Sequence, residues 1–195
     1  MIRGIRNIAI PGVLSLIVTT CSNPFAPPEV GPGVLAPILP QNCADCPDSA
    51  NAYAVLSNFK YAYENRDIDV YENCLDQNFT FIYIDQNRSG EIEEVEIPRG
   101  GTSGDIMRTR RLFDAFDEIR LNTWVPNRLD PEGPELHEGE TWEIWLVIFH
   151  LSLRDLSGAY NFQQFEANGL ALYKIRKSPD GFWRIIVWED HSFTN

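Results

Sequence analysis

The alternation of apolar and polar side chains becomes regular at Asp48 and persists to the end of the chain. Ala52, Val55, Leu56, Phe59, Ala62 and Tyr63 recur at helical spacing and predict an amphipathic helix capped by Asp48 or Ser49. Asn65-Arg66-Asp67 interrupts it, and Val70, Tyr71, Cys74 and Leu75 mark a second, shorter helix. Residues 79–84 are dense in aromatic and β-branched side chains and predict a strand. The turn Gln86-Asn87-Arg88-Ser89-Gly90 leads into 91–97, whose alternating glutamates suit a charged edge that discourages strand association better than a calcium site. Ser103 is placed to cap a third helix, with Asp105 in the first turn, where the dipole favours an anion. Ile106, Thr109, Leu112, Phe113 and Phe116 form its inner face, and Arg108, Arg110, Arg111 and Asp114 fall outside as a solvated surface.

After Glu118 a strand carries Ile119, Leu121 and Thr123 on one side and Trp124 on the other, followed by a loop holding Pro126, Pro131, Gly133, Pro134 and Gly139. The last 55 residues predict a three-strand meander. Residues 142–153 are apolar on both faces near their centre, as a covered strand would be. Residues 165–176 form the next strand, with Gly169 as a bulge or bend. Ser178-Pro179-Asp180-Gly181 turns the chain into a final strand at 182–188. This order predicts an α+β fold: three helices from the N-terminal side packed in a curved, mostly antiparallel sheet. The folded domain is expected over 48–195.

The first residues follow another rule. Arg3 and Arg6 precede an apolar run of about 11 residues, 8–18, where a membrane span needs roughly 20. The run ends at Val18-Thr19-Thr20-Cys21, which matches a bacterial lipoprotein signal over 1–20, with Cys21 lipidated and left as the mature N-terminus. Thr20 departs from the small residue usual before that cysteine. Residues 21–47 hold seven prolines and predict an extended tether, about 80 Å at about 3.1 Å per residue. These signals place the protein in the cell envelope, on the periplasmic side of the outer membrane.

Charge narrows the partners. Cleavage removes both signal arginines and leaves 14 basic against 28 acidic side chains. Such a balance excludes nucleic acid and electrostatic docking on anionic lipid, so membrane attachment rests on the acyl chains. Of the cysteines, Cys43 and Cys46 have redox-motif spacing but lack the helix N-terminus that activates such thiols. A structural disulfide remains, pairing Cys43 with Cys46 or either of them with Cys74. Two thiolates without further ligands make no zinc site, and no metal or cofactor is expected.

Four segments resemble the nuclear-transport-factor-2-like superfamily. They are Phe59-Lys60-Tyr61-Ala62-Tyr63-Glu64-Asn65-Arg66-Asp67, the Tyr71, Leu75 and Phe79-Thr80-Phe81 series, Arg108-Thr109-Arg110-Arg111-Leu112-Phe113, and Gly181-Phe182-Trp183-Arg184-Ile185-Ile186-Val187-Trp188-Glu189-Asp190. With Asn23-Pro24-Phe25-Ala26 behind the cysteine, the chain also resembles uncharacterised bacterial lipoproteins carrying that fold. The resemblance implies a cone whose bent sheet wraps a long helix, with a pocket at its mouth and pairing of two copies through the outer sheet face. It implies no single function, since relatives include isomerases, dehydratases, ligand binders and interaction modules. Pocket candidates are Tyr83, Asp85, His150, Trp188 and Asp190; for catalysis, His150 or Asp190 would act as base and Tyr83 as hydroxyl donor. Each also has a packing or capping role available. Two readings stay open: a non-catalytic envelope module binding a small apolar ligand or another envelope protein, and a cofactor-independent acid–base enzyme acting on a small apolar substrate.

Overall fold

The apolar stripe of the first helix is buried along its whole length. A computed structural model of the protein describes residues 38–86, 92–129, 142–158 and 164–194. In it α1 spans Asp48–Asn65, with Ala52, Val55, Leu56, Phe59, Ala62 and Tyr63 all in the core. Its cap differs from the expectation: Pro47 precedes the helix without a side-chain bond, and Asp48 is already the first helical residue. Arg66 ends α1 in the left-handed region, φ 55°, and its guanidinium donates to the Phe116 carbonyl at 3.1 Å. α2 (Ile68–Asn73) follows directly, capped by Asp67, whose side chain accepts from the Val70 amide. Leu75, expected on α2, instead opens the first strand.

α3 covers Asp105–Ala115, and the expected cap Ser103 is not used. Gly104 stands at that position because a Cβ there would overlap the Gly100 carbonyl oxygen. The close turn at 100–104 delivers Asp105 to the buried face, with Thr109 and Phe113 below it. Ile106, Leu112 and Phe116 pack around that core as the helical period predicts.

Six strands form one sheet in the order β2-β1-β6-β5-β4-β3. They are β1 (Leu75–Gln86), β2 (Ile92–Pro98), β3 (Glu118–Leu129), β4 (Trp142–Arg154), β5 (Gln164–Lys177) and β6 (Trp183–Thr194). Every pairing is antiparallel except β1 with β6, which is parallel. The fold is therefore α+β with a mixed, mainly antiparallel sheet, and α1 packs against β3, β4 and β6.

Several local expectations change. The register of β3 on β4 shifts between Leu121 and Thr123, and the extra residue reverses the side-chain parity. Trp124 therefore faces inward with Leu121 instead of opposing it. Pro126 lies inside β3, tolerated because β3 is the sheet edge. Gly169 holds register with both Phe149 and Ser192 and makes no bulge; the irregularity of β5 on β6 lies between Lys174 and Ile175. The turn at 178–181 forms as read, with Gly181 at φ 88° and its amide donating to the Ser178 carbonyl at 2.9 Å. β6 continues to Thr194, so Asp190 is a strand residue and not a loop cap.

The folded unit also starts earlier than residue 48. Residues 38–47, assigned above to the tether of 21–47, lie along α1 as a strap. Asn58 accepts from the Leu39 amide and donates to the Leu39 carbonyl, both at 2.8 Å. Asn51 does the same for Cys43, at 2.8 and 3.0 Å. Seven residues of helix rise about 10.5 Å and four of extended chain about 13 Å, so the two asparagines and their two targets match in spacing. Between them the Gln41 carbonyl accepts from the Trp183 amide at 2.9 Å. Cys43 and Cys46 are joined by a disulfide. Cys74 is a free, buried thiol. Burial pushes that thiol up to about 12, and the Gln41 side chain bonds to it at 3.5 Å.

Asn58→Ala leaves the Leu39 amide and carbonyl without their partner, at a cost of about 2 kcal/mol. The expected result is a lower denaturant midpoint together with faster proteolysis within 38–47. An unchanged cleavage rate there would show that the strap is held by something else.

Candidate functional site

Side chains on the inner face of the sheet alternate large and small in a way that leaves space beside α1. Ala167, Gly169, Ala171 and Tyr173 share one face of β5 by strand alternation, while Trp124, Phe149 and Trp188 project from β3, β4 and β6. The result is a cavity of about 1110 Å³ with a mostly apolar wall. Phe59 stacks on Trp124 at 6.0 Å between ring centroids, and Trp188 stacks on Tyr173 at 5.8 Å. The Trp188 Nε1 atom is buried and has no hydrogen-bond partner among the described residues.

Polar groups converge at the helical end. The Tyr71 hydroxyl donates to Asp105 Oδ2 at 2.6 Å. Tyr63 lies within hydrogen-bonding reach of Tyr71 and Thr109, and the charge of Asp190 acts on both Tyr63 and Tyr173. Asp105 is only 4% exposed. Burial drives its carboxyl from the ordinary 3.8 up to about 6, against the opposing pull of the Tyr71 hydroxyl and the Arg108 guanidinium. Burial, reinforced by nearby negative charge, pushes Tyr63, Tyr71 and Tyr173 far above the usual phenol range. All three hydroxyls are therefore protonated near neutral pH. The chemical capacity is a buried carboxyl whose pKa is raised to about 6, a second carboxyl, and neutral hydroxyl donors, in a largely aromatic chamber.

The expected site residues divide. Tyr83 and Asp190 are register partners on β1 and β6, and both line the cavity with Trp188. Asp85 sits on β1 opposite Glu93, and its side chain lies outside the described residues. His150 is absent from the cavity wall, a correction to the expected pocket. It alternates with Phe149 and Leu151 and points to the outer face, where Nε2 lies 3.7 Å from Glu166 Oε2. Cys21 lies outside the described residues.

Asp105, Tyr63, Tyr71 and Tyr173 are site residues that sequence reading did not assign. A signal existed: Asp105, Thr109, Leu112 and Phe113 fall at i, i+4, i+7 and i+8, so helical geometry puts the carboxyl on the buried stripe. Asp105 does occupy the first turn, but it faces the core instead of solvent.

Structural comparison decides the architecture. A dehydratase proposed for Streptomyces avermitilis, from the nuclear-transport-factor-2-like family, superposes with a TM-score of 0.50 at 10% identity, covering 74% of this chain and 97% of that one. The chain has the nuclear-transport-factor-2-like cone fold. A conserved protein from Planctomyces limnophilus superposes on this cone with a TM-score of 0.53 at 14% identity, over 76% of this chain and 98% of the other. The β subunit proposed for an aromatic-ring-hydroxylating dioxygenase of Novosphingobium aromaticivorans gives 0.51 at 10% identity, over 75% and 90%. No protein-family model matches the sequence, and no curated protein does.

Asp105 makes stability depend on pH with a definite sign. Its carboxyl binds a proton more tightly in the folded cone than in the unfolded chain. Its contribution is therefore full below the ordinary value of 3.8 and is lost as pH rises through about 6. Asp105→Asn keeps an acceptor for Tyr71 and removes that loss. Denaturation from about pH 4 to about pH 6.5 should show wild type losing roughly 2 kcal/mol relative to the variant. Parallel stability curves for the two proteins would contradict the buried-carboxyl assignment.

Proposed function

We propose that this protein is a lipid-anchored cell-envelope protein whose cone encloses one small, largely apolar molecule. The observation that carries the binding reading is the cavity: about 1110 Å³ with a largely aromatic wall that includes the buried Asp105 carboxyl. Such a volume suits a ligand-sized molecule, and an apolar wall with a few convergent polar groups is the usual composition of a binding pocket. The unpartnered Trp188 Nε1 donor adds a place for a ligand acceptor. Anchoring is supported by Arg3, Arg6, the short apolar run and Cys21, and the acidic balance of the chain leaves lipid as the means of attachment.

Acid–base catalysis is the second reading, and Asp105 favours it. A carboxyl pushed up to about 6 beside neutral tyrosine hydroxyls has the two roles that proton transfer next to a carbonyl requires. The dehydratase proposed among the superposed structures agrees with this reading only at the level of fold. Under it, Asp105→Asn would keep binding a substrate and stop converting it. Under the first reading, the bound molecule is recovered unchanged with either protein.

Two experiments test the leading proposal. Nile red, an uncharged apolar dye, should bind the full chain at one per molecule with blue-shifted emission. Ala167→Phe, which fills the cavity wall, should abolish that shift without lowering the melting temperature. A shift that survives Ala167→Phe places the dye elsewhere and ends the binding proposal. In a bacterial host, Cys21→Ser should move the protein from the membrane to the soluble fraction; retention on the membrane would refute the lipid anchor.

A further inference from the structure

We propose that the cleft between the start of β1 and the turn at 178–181 binds a small oxyanion, a phosphate or carboxylate group held by Arg99 and Arg184. This cleft of about 280 Å³ shares no wall residue with the cone cavity, so the inference stands apart from the binding reading above. Three arginines line it: Arg99 after β2, Arg176 on β5 and Arg184 on β6. Their side chains are 25%, 18% and 19% exposed, and every other arginine among the described residues is exposed. A guanidinium is costly to take out of water unless an anionic group meets it. The gathering of all three half-buried arginines on one wall therefore needs a reason.

Acids on the same wall supply part of it and fix the arginines in place. Glu72 Oε1 accepts from Arg99 Nη2 at 3.1 Å, Asp76 Oδ1 from Arg176 Nη2 at 3.4 Å, and Asp180 Oδ1 from Arg184 Nη1 at 2.6 Å. Asp76 is buried and also accepts from the Ser178 hydroxyl at 2.5 Å and the Asn78 amide at 2.9 Å. The donors are less fully used. A guanidinium carries several N–H groups, yet Arg99 hydrogen-bonds through Nη2 alone and Arg184 through Nη1 alone. The Arg99 Nε atom is buried with no partner among the described residues. Glu72 and Asp180, the acids that hold these two arginines, are 41% and 53% exposed. Water and salt screen their charge, while the guanidiniums keep theirs below the surface. What the cleft offers a ligand is thus charged donors, already oriented by carboxylates. Phosphate and carboxylate oxygens bond to such guanidinium edges in pairs.

The test is titration calorimetry of the full chain with inorganic phosphate and, separately, acetate, at an ionic strength fixed by potassium chloride. One saturable site per chain is expected, and the probe bound more tightly names the group the cleft takes. Arg99→Lys and Arg184→Lys keep the charge but lose the planar fork. Each should weaken binding about tenfold, the loss of one charge-assisted hydrogen bond, with an unchanged circular dichroism spectrum. Gln77→Glu places a negative charge at an exposed position of the same wall and should also weaken binding, independently of any arginine contact. Arg120→Lys, at an exposed arginine outside the cleft, should leave it unchanged. Absence of saturable binding by both probes overturns the inference. Binding that none of the three cleft variants weakens, or that Arg120→Lys weakens equally, overturns the assignment to this cleft. Nile red binding in the cone should be the same in every variant, so either failure leaves the binding proposal standing.

Discussion

Five aromatic rings converge on Phe59, and the shape of the molecule follows from their packing. Tyr63 stands 5.0 Å away between centroids, Tyr71 and Trp188 5.3 Å, Tyr173 5.5 Å and Trp124 6.0 Å. They come from α1, α2, β6, β5 and β3, so one side chain registers α1 and α2 against three strands. Rings have few rotatable bonds and fill space in fixed orientations. A floor built from them resists collapse, and the small residues of β5 opposite can then border empty space. The cavity is a consequence of that contrast between rigid and missing volume.

The polar cluster is placed at a cost that the surrounding groups reduce. A carboxyl taken out of water is destabilised in its charged form unless something replaces its hydration. Asp105 obtains a hydroxyl donor from Tyr71, the positive end of α3 where it sits in the first turn, and the field of Arg108. These groups lie on different elements, so the carboxyl keeps its setting only while α2 and α3 stay docked. A core built for stability alone has no need of such a group. Its presence on the wall of a largely aromatic chamber is what separates this cone from one that is merely packed.

The strap illustrates a different economy. Asn51 and Asn58 lie two helical turns apart on the core-facing side of α1, where buried amides would be unfavourable if left alone. Each gives one donor and one acceptor to the backbone of the segment 38–47, which lies outside the sheet. The proline-rich composition that makes 38–47 read as a tether also makes it extended, and an extended chain is what the two amides can grip. Residues 38–47 belong to the folded unit and turn at 44–46, while the part of the tether at 21–37 lies outside the described residues.

The chain by itself determined the helical stripes, the strands, the turn at 178–181 and the order that makes this an α+β cone, because those depend on periodicities of 3.6 and 2 and on local backbone preference. Tyr83, Trp188 and Asp190, named for the pocket from the family resemblance, line the cavity. Tertiary structure decided the rest. The bulge in β3 reversed Trp124, strand alternation beside Phe149 turned His150 to the outer face, and the tight turn at Gly104 delivered Asp105 inward. Each of these depends on where a neighbouring element lies: periodicity says which residues share a face, and only packing says what that face meets.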